Sequence, residues 1–204
     1  MRLTVEDTVR IDYSVIVRLV PQGADVLDLG CGDGSLLEKL EKERGVRGRG
    51  IEISEVGVKQ CIRRGLTVLQ GDIDEGLPDY PDKSFDIVIL NQTLQVVKKP
   101  DLVLFEMLRV GKKGIVGFPN FGYWKVRANL LLRGRMPKTR FLPYEWYNTP
   151  NIHLCTIKDF EAICRENGIK IEKRIYLSTE RGGRIFRGAA PNLFAENAVF
   201  IISR

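Results

Sequence analysis

The apolar positions of this chain fall into short runs whose period switches repeatedly between helical and extended spacing. Val9, Tyr13, Ile16 and Val20 recur on one helical face and predict a helix over 9–20, stopped by Pro21-Gln22-Gly23. Compact apolar runs predict strands at 25–29, 49–53, 66–70, 85–90 and 114–118. Helices are predicted between them at about 34–43, from an N-cap at Ser54 to Arg64 with Gly65 as its stop, and at about 101–109. The last of these carries Leu102, Phe105 and Leu108 on one side and is followed by Gly111. Thr156 is placed to cap a helix to Asn167, with Phe160, Ile163 and Cys164 inward and Gly168 closing it. Strands at 170–177 and 198–203 come last, joined by a loop containing Gly and Arg.

Strands alternate with helices from residue 25 to 118, which calls for a parallel sheet with right-handed crossovers. Phe85–Leu90 is a continuous apolar run, suited to a parallel strand covered on both faces. The two final strands have no helix between them and predict an antiparallel pair at one edge. The expectation is an α/β, Rossmann-like fold of seven strands, mostly parallel with an antiparallel edge strand, in one domain over 1–204.

The densest chemistry follows the first strand, in Val26-Leu27-Asp28-Leu29-Gly30-Cys31-Gly32-Asp33-Gly34. Glycine serves where the backbone must take positive φ or approach a bound molecule closely. Strand, glycine turn and helix start together make a nucleotide-type pocket at the strand's carboxyl end. A dinucleotide fingerprint would place a third glycine at position 35, where Ser35 stands, and would receive a pyrophosphate. Asp28 would repel a pyrophosphate but suits the ammonium end of an amino-acid cofactor. The acidic-x-Gly-x-Gly-x-Gly form resembles the first motif of the class I S-adenosylmethionine (SAM) methyltransferases, whose seven-stranded architecture matches the element order.

Each part of SAM then has candidate partners. Asp28, Gly30, Cys31 and Gly32 suit the methionine end, with Asp28 as a turn-stabilising residue the plainer alternative. Glu52, with Ile53 beside it, ends the second strand where a carboxylate can accept both ribose hydroxyls. Asp72 can accept from the adenine amine while the Ile73 backbone N–H serves a ring nitrogen. Asn91 and Gln92 follow the fourth strand at the same sheet edge and face cofactor or substrate, or simply shape a turn. Methyl transfer needs the nucleophile held in line, so a catalytic residue need not be visible. None is assigned: His153, Tyr144 and Tyr147 are candidate bases, and a structural role for His153 is the preferred reading. Asn91-Gln92-Thr93-Leu94 lacks the Pro-Pro-aromatic element of nucleic-acid amino-methyltransferases, so that activity is not expected.

Composition narrows the class without changing it. The chain is 44% apolar and 28% charged, ordinary for a globular protein. No apolar run approaches the roughly 18 residues of a membrane span, and the N-terminus does not read as a secretory signal. Cys31, Cys61, Cys155 and Cys164 show no metal-ligand spacing and His153 is the single histidine, so reduced thiols, a cytoplasmic location and no metal are expected. The net charge of +6 is uneven, however. Between Phe121 and Thr149 stand Lys125, Arg127, Arg133, Arg135, Lys138 and Arg140 against Glu145 alone, interleaved with seven aromatic residues. This window, about 120–155, reads as an insertion: a lid or a protein-docking surface, with RNA stacking a weaker alternative. Arg181, Arg184 and Arg187 form a smaller basic cluster, read as solvated.

Longer runs carry a closer resemblance. Val26–Gly34, Ile89–Gln95, Glu106–Gly122, Tyr123–Pro137 and Leu142–Thr156 are similar to one family, MetW (methionine biosynthesis protein W). Phe-Pro-Asn-Phe-Gly-Tyr-Trp and Glu-Trp-Tyr-Asn-Thr-Pro-Asn are its most specific runs. The resemblance implies a class I methyltransferase fold and a place in methionine biosynthesis beside homoserine O-acyltransferase. It does not supply a methyl acceptor. Two functions follow: a SAM-dependent methyltransferase acting on a small molecule, or a non-catalytic SAM-binding partner of the acyltransferase.

Overall fold

The computed structural model of the chain describes residues 5–139, 141–178 and 184–204, with the backbone alone at 5–10 and 184. Arg140 and Arg181, and the side chains of Val9 and Arg184, therefore lie outside the described residues. Helix α1 spans Val5–Leu19, and two strand–helix units and a third strand follow: β1 Asp25–Leu29, α2 Ser35–Arg44, β2 Arg47–Glu52, α3 Glu55–Arg63 and β3 Val68–Gln70. After a 3₁₀ turn at Ile73–Glu75 come β4 Phe85–Asn91, α4 Pro100–Val110 and β5 Gly111–Pro119. The chain ends with α5 Trp124–Arg133, α6 Ile157–Glu166, β6 Lys170–Ser178, β7 Arg184–Ile185, α7 Pro191–Phe194 and β8 Asn197–Ser203.

The strands form one sheet in the order β3-β2-β1-β4-β5-β8-β6-β7. β1 to β5 pair in parallel, and β8 runs antiparallel to both β5 and β6. This is the mostly parallel, seven-stranded fold expected, with the antiparallel pair at its far end and the two-residue β7 added outside β6. The antiparallel strand itself sits one place in from β6, because the chain returns through β8 to fill the gap beside β5.

Side chains alternate across the sheet and both faces are covered, which is why the central strands are apolar throughout. Val26, Ile87, Ile89, Ile115 and Val199 pack against α1, α2 and α3 through Ile16, Val20, Leu37, Leu40 and Cys61. Leu27, Leu29, Val88, Leu90, Val116 and Phe200 pack on the other face against α4 and α6. Strand order reverses between β1 and β4, so the connections leaving their carboxyl ends diverge and open a crevice there.

Several boundaries differ from the sequence pattern for physical reasons. β2 starts at Arg47 and ends at Glu52, so Ile53 leaves the sheet. β3 is shorter than 66–70, since Leu66 turns inward against α3 and only Val68–Gln70 meet β2 at the sheet's edge. The inward face of α4 is Val103, Leu104, Met107 and Leu108, with Leu102 and Phe105 half-buried. The caps fall as expected: Ser54 Oγ accepts from Gly57 N, and Thr156 forms a capping box with Asp159.

Candidate cofactor cleft

The glycine turn sits at the switch point, between the ends of β1 and β4. Gly30, Gly32 and Gly34 all have positive φ, at 72°, 59° and 79°. Two of them are also fixed by neighbours. A methyl group on Gly30 would come within 2.7 Å of Thr93, and one on Gly34 within 2.4 Å of Leu66. Nothing lies within 4 Å of the same position on Gly32, so the turn presents open space there. Replacing Gly30 by alanine combines a left-handed backbone with a steric clash. We expect a loss of about 2–4 kcal/mol in a denaturant titration; an unchanged midpoint would mean that the turn relaxes freely.

The turn is anchored from three sides. Gly30 N and Cys31 N both donate to Ile51 O, at 2.8 and 3.1 Å. Arg64, at the end of α3, donates to Asp33 O and Oδ2, and Ser35 Oγ closes on the same carboxylate. Glu52 completes the frame: Oε2 accepts from Gly32 N and Oε1 from Ser54 N, each at 2.8 Å. Each carboxylate oxygen keeps a lone pair for a second donor.

Asp28 is buried beneath the turn on the α1 side of β1. Burial, aided by the nearby charge of Glu52, pushes its carboxyl up to about 7. Cys31 is buried beside it, its thiol pushed up by burial and by Asp28, with Sγ 3.8 Å from Cys61 Sγ. All four cysteines are free.

A cleft of about 280 Å³ opens above these groups. Gly30, Glu52, Ile53, Asp72, Ile73 and Gln92 line it, joined by Thr93, Val96 and Val97. Six residues picked out in the sequence are thus brought to one wall or another of a single cleft. Ile53 is 62% exposed, an apolar side chain held open at the cleft rather than packed away. Asp72 Oδ1 accepts from Asp74 N and so starts the 3₁₀ turn, leaving Oδ2 without a bond from that turn. Asp74 is structural: its two oxygens accept from Lys98 N and Lys99 N, tying the start of α4 to the turn.

Asp28, Cys31 and Asn91 stand behind the lining rather than in it, while Gly32 is exposed on the turn without lining the cleft. Asn91 Nδ2 donates to Asp12 Oδ2 at 2.9 Å, joining the end of β4 to α1. Asp12 was not among the residues picked out from the sequence. It is buried, its carboxyl is pushed up to about 6 by burial, and the hydrogen bond from Asn91 opposes that rise. An acid one turn before Ile16, on the apolar side of α1, was the available signal. Gln92 has φ 56° and donates its N–H to Gly117 O, which turns its side chain toward the cleft.

The candidate bases lie elsewhere. His153 borders a second hollow with Leu94, Leu104, Phe160 and Ile163, between α4 and α6. Tyr144 and Tyr147 are exposed. Among the described residues no group of three His, Cys, Asp or Glu stands together as a metal site, and no helix is long and apolar enough to cross a membrane.

A family model for methionine biosynthesis protein MetW matches residues 10–202. The chain belongs to the MetW family. Over 206 residues it is 35% identical to the bifunctional methionine biosynthesis protein MetXA/MetW of Rhodopirellula baltica. That match covers 97% of this chain and 33% of that protein, so the chain spans a third of the relative's length. Solved structures share the fold of this MetW chain. An S-adenosylmethionine dependent methyltransferase of Mesorhizobium loti aligns with TM-score 0.70 at 17% identity, over 98% of this chain and all of that one. A SAM-dependent methyltransferase of Thermotoga maritima, a possible histamine N-methyltransferase, aligns with TM-score 0.69 at 20% identity, over 95% and 88%. At these identities the likeness is one of fold, and the cleft residues must carry any argument about chemistry.

Proposed function

We propose that this MetW protein binds SAM in the cleft and transfers its methyl group to a small molecule. One observation carries the reading: a carboxylate at the end of β2, an open glycine turn at the end of β1 and an acidic turn after β3 meet around one cleft. The residues fit the cofactor. Glu52 would take the ribose hydroxyls on its two remaining lone pairs, without giving up the backbone bonds that hold it. Ile53, Ile73, Val96 and Val97 offer an apolar slot for the adenine, with Asp72 and the Ile73 N–H at its edge. Gly30, Cys31 and Gly32 would let the methionine end approach the backbone, and ionised Asp28 would balance its ammonium. At the β4 end Gln92 would face the acceptor, and Asn91 would act from behind it, held by its bond to Asp12.

The bound cofactor supplies an electrophilic methyl on a sulfonium. The protein's share of the work is to hold the acceptor in line and to exclude water. Residues 120–155, proposed as an insertion on a single domain, border this region, since Ile152 N and His153 N both donate to Gln95 O just beyond Gln92. The test is turnover: incubation with SAM and small-molecule extracts should release S-adenosylhomocysteine, and Glu52→Ala should abolish it. Tight SAM binding with no release in any extract would remove catalysis from the account.

A second reading is favoured by the Rhodopirellula baltica protein, in which a MetW part shares a polypeptide with MetXA. In that reading this chain is a SAM-binding partner of a homoserine O-acyltransferase. Both readings use the same cleft.

A further inference from the structure

Helix α5 is held to the protein by little. Of its ten residues only Val126 is buried, packed with Tyr123, Leu142 and Phe121. So short a helix gains its stability from burying an apolar face, yet here the apolar face is turned outward. Leu131 is 84% exposed and Leu132 80%, with Leu130 and Trp124 also exposed. Three successive helical positions spread over roughly 200° of the helix surface, so no rotation of α5 against the core could bury them all.

The loop after α5 continues the pattern. Met136, Tyr144, Trp146, Tyr147, Ile152 and Leu154 are exposed, Trp146 at 73%. The loop is nevertheless built. Thr139 and Leu142 exchange backbone bonds, Lys138 pairs with Glu145 at 2.8 Å, and Trp146 and Tyr147 meet edge to face. Met136, Leu142, Tyr144, Trp146 and Leu154 surround a crevice of about 40 Å³. Exposed Leu, Trp and Tyr held in a formed surface, with arginines around them, are the composition of an interface centre.

Charge selects the occupant. Residues 122–144 contain no Asp or Glu, while Lys125, Arg127, Arg133, Arg135 and Lys138 flank the leucines. A second copy would bring like charges together around the contact, which is costly. A partner with an apolar groove rimmed by carboxylates would be complementary.

We propose that the Leu130–Leu132 face of α5, with Trp146 and Tyr147, docks into an acid-rimmed apolar groove on the homoserine O-acyltransferase. The proposal rests on the partner reading above and adds the surface that reading lacks. The test measures binding of the purified chain to the acyltransferase of the same organism, at low and at raised salt. Leu131→Ser/Leu132→Ser should weaken the complex about 30-fold or more, as for interface anchors. Arg133→Glu/Arg135→Glu should weaken it and remove most of its salt dependence. Both variants alter exposed positions, so unchanged SAM binding reports that each is folded. If wild type and both variants bind equally, the surface is wrong and the partner reading stands. If wild type does not bind, both fall. A dimer of this chain alone, abolished by the leucine variant, would assign the face to self-association and overturn the proposal.

Discussion

Glu52→Ala is expected to weaken SAM binding on the order of 100-fold. Glu52 does two jobs that alanine cannot. Its oxygens would receive the ribose hydroxyls, and the same oxygens already hold Gly32 N and Ser54 N at 2.8 Å. Hydrogen bonds to a charged acceptor are worth about 1.5–3 kcal/mol each, so losing two at the ribose would cost at least the equivalent of two decades. The freed Gly32 and Ser54 amides would also leave the turn unbraced. Glu52→Gln should fare little better, because its amide nitrogen would face a backbone N–H donor on one side. Equilibrium dialysis with labelled SAM measures both. Thermal unfolding of the unliganded variants separates a lost ligand contact from a lost fold. An affinity unchanged by either substitution would end the ribose assignment.

Asp28 should make both stability and affinity depend on pH, in opposite senses. Its folded value lies near 7, above the ordinary 3.8 of a solvated aspartate, because burial disfavours the charge. A raised folded value means that its contribution to stability is full below about pH 4 and is lost as pH rises towards 7. Above that, an ionised buried carboxylate burdens the unliganded protein. Asp28→Asn should therefore stabilise it at pH 8 by on the order of a few kcal/mol and lose that advantage near pH 4. Asp12, raised to about 6 by burial, adds a pH dependence of the same sign.

A cofactor ammonium needs the ionised form. SAM affinity should climb by roughly tenfold per pH unit up to about 7 and then level, and Asp28→Asn should flatten that climb. Denaturant titrations across pH 4–8 and calorimetry across pH 5–8 read the two effects. A stability profile of this shape with a flat affinity profile would leave Asp28 as a purely structural acid.

What could be read from the sequence was mostly local. Val26–Leu29 and the glycines after it are encoded within ten residues, so the turn, its strand and the nearness of Glu52 followed from pattern alone. Glu52 and Ile53 look alike as strand-end residues in sequence, yet pairing with β3 stops at Glu52 and leaves Ile53 open at the cleft. The face of α4 was misjudged because its apolar residues nearly encircle it, and only the sheet decides which side is covered. Helix α5 was not foreseen because its leucines do not repeat at core spacing; they face outward. Asp12 escaped notice because its partner Asn91 lies 79 residues away and meets it only once α1 closes over the sheet.

The central claim is that this cleft holds SAM. Calorimetric titration of the wild-type chain with SAM at pH 7.5 tests it most directly. Saturable binding at one site per chain is expected, competed by S-adenosylhomocysteine and weakened on the order of 100-fold in Glu52→Ala. A folded wild-type protein that gives no binding heat, and no rise in unfolding temperature with either ligand, would contradict it.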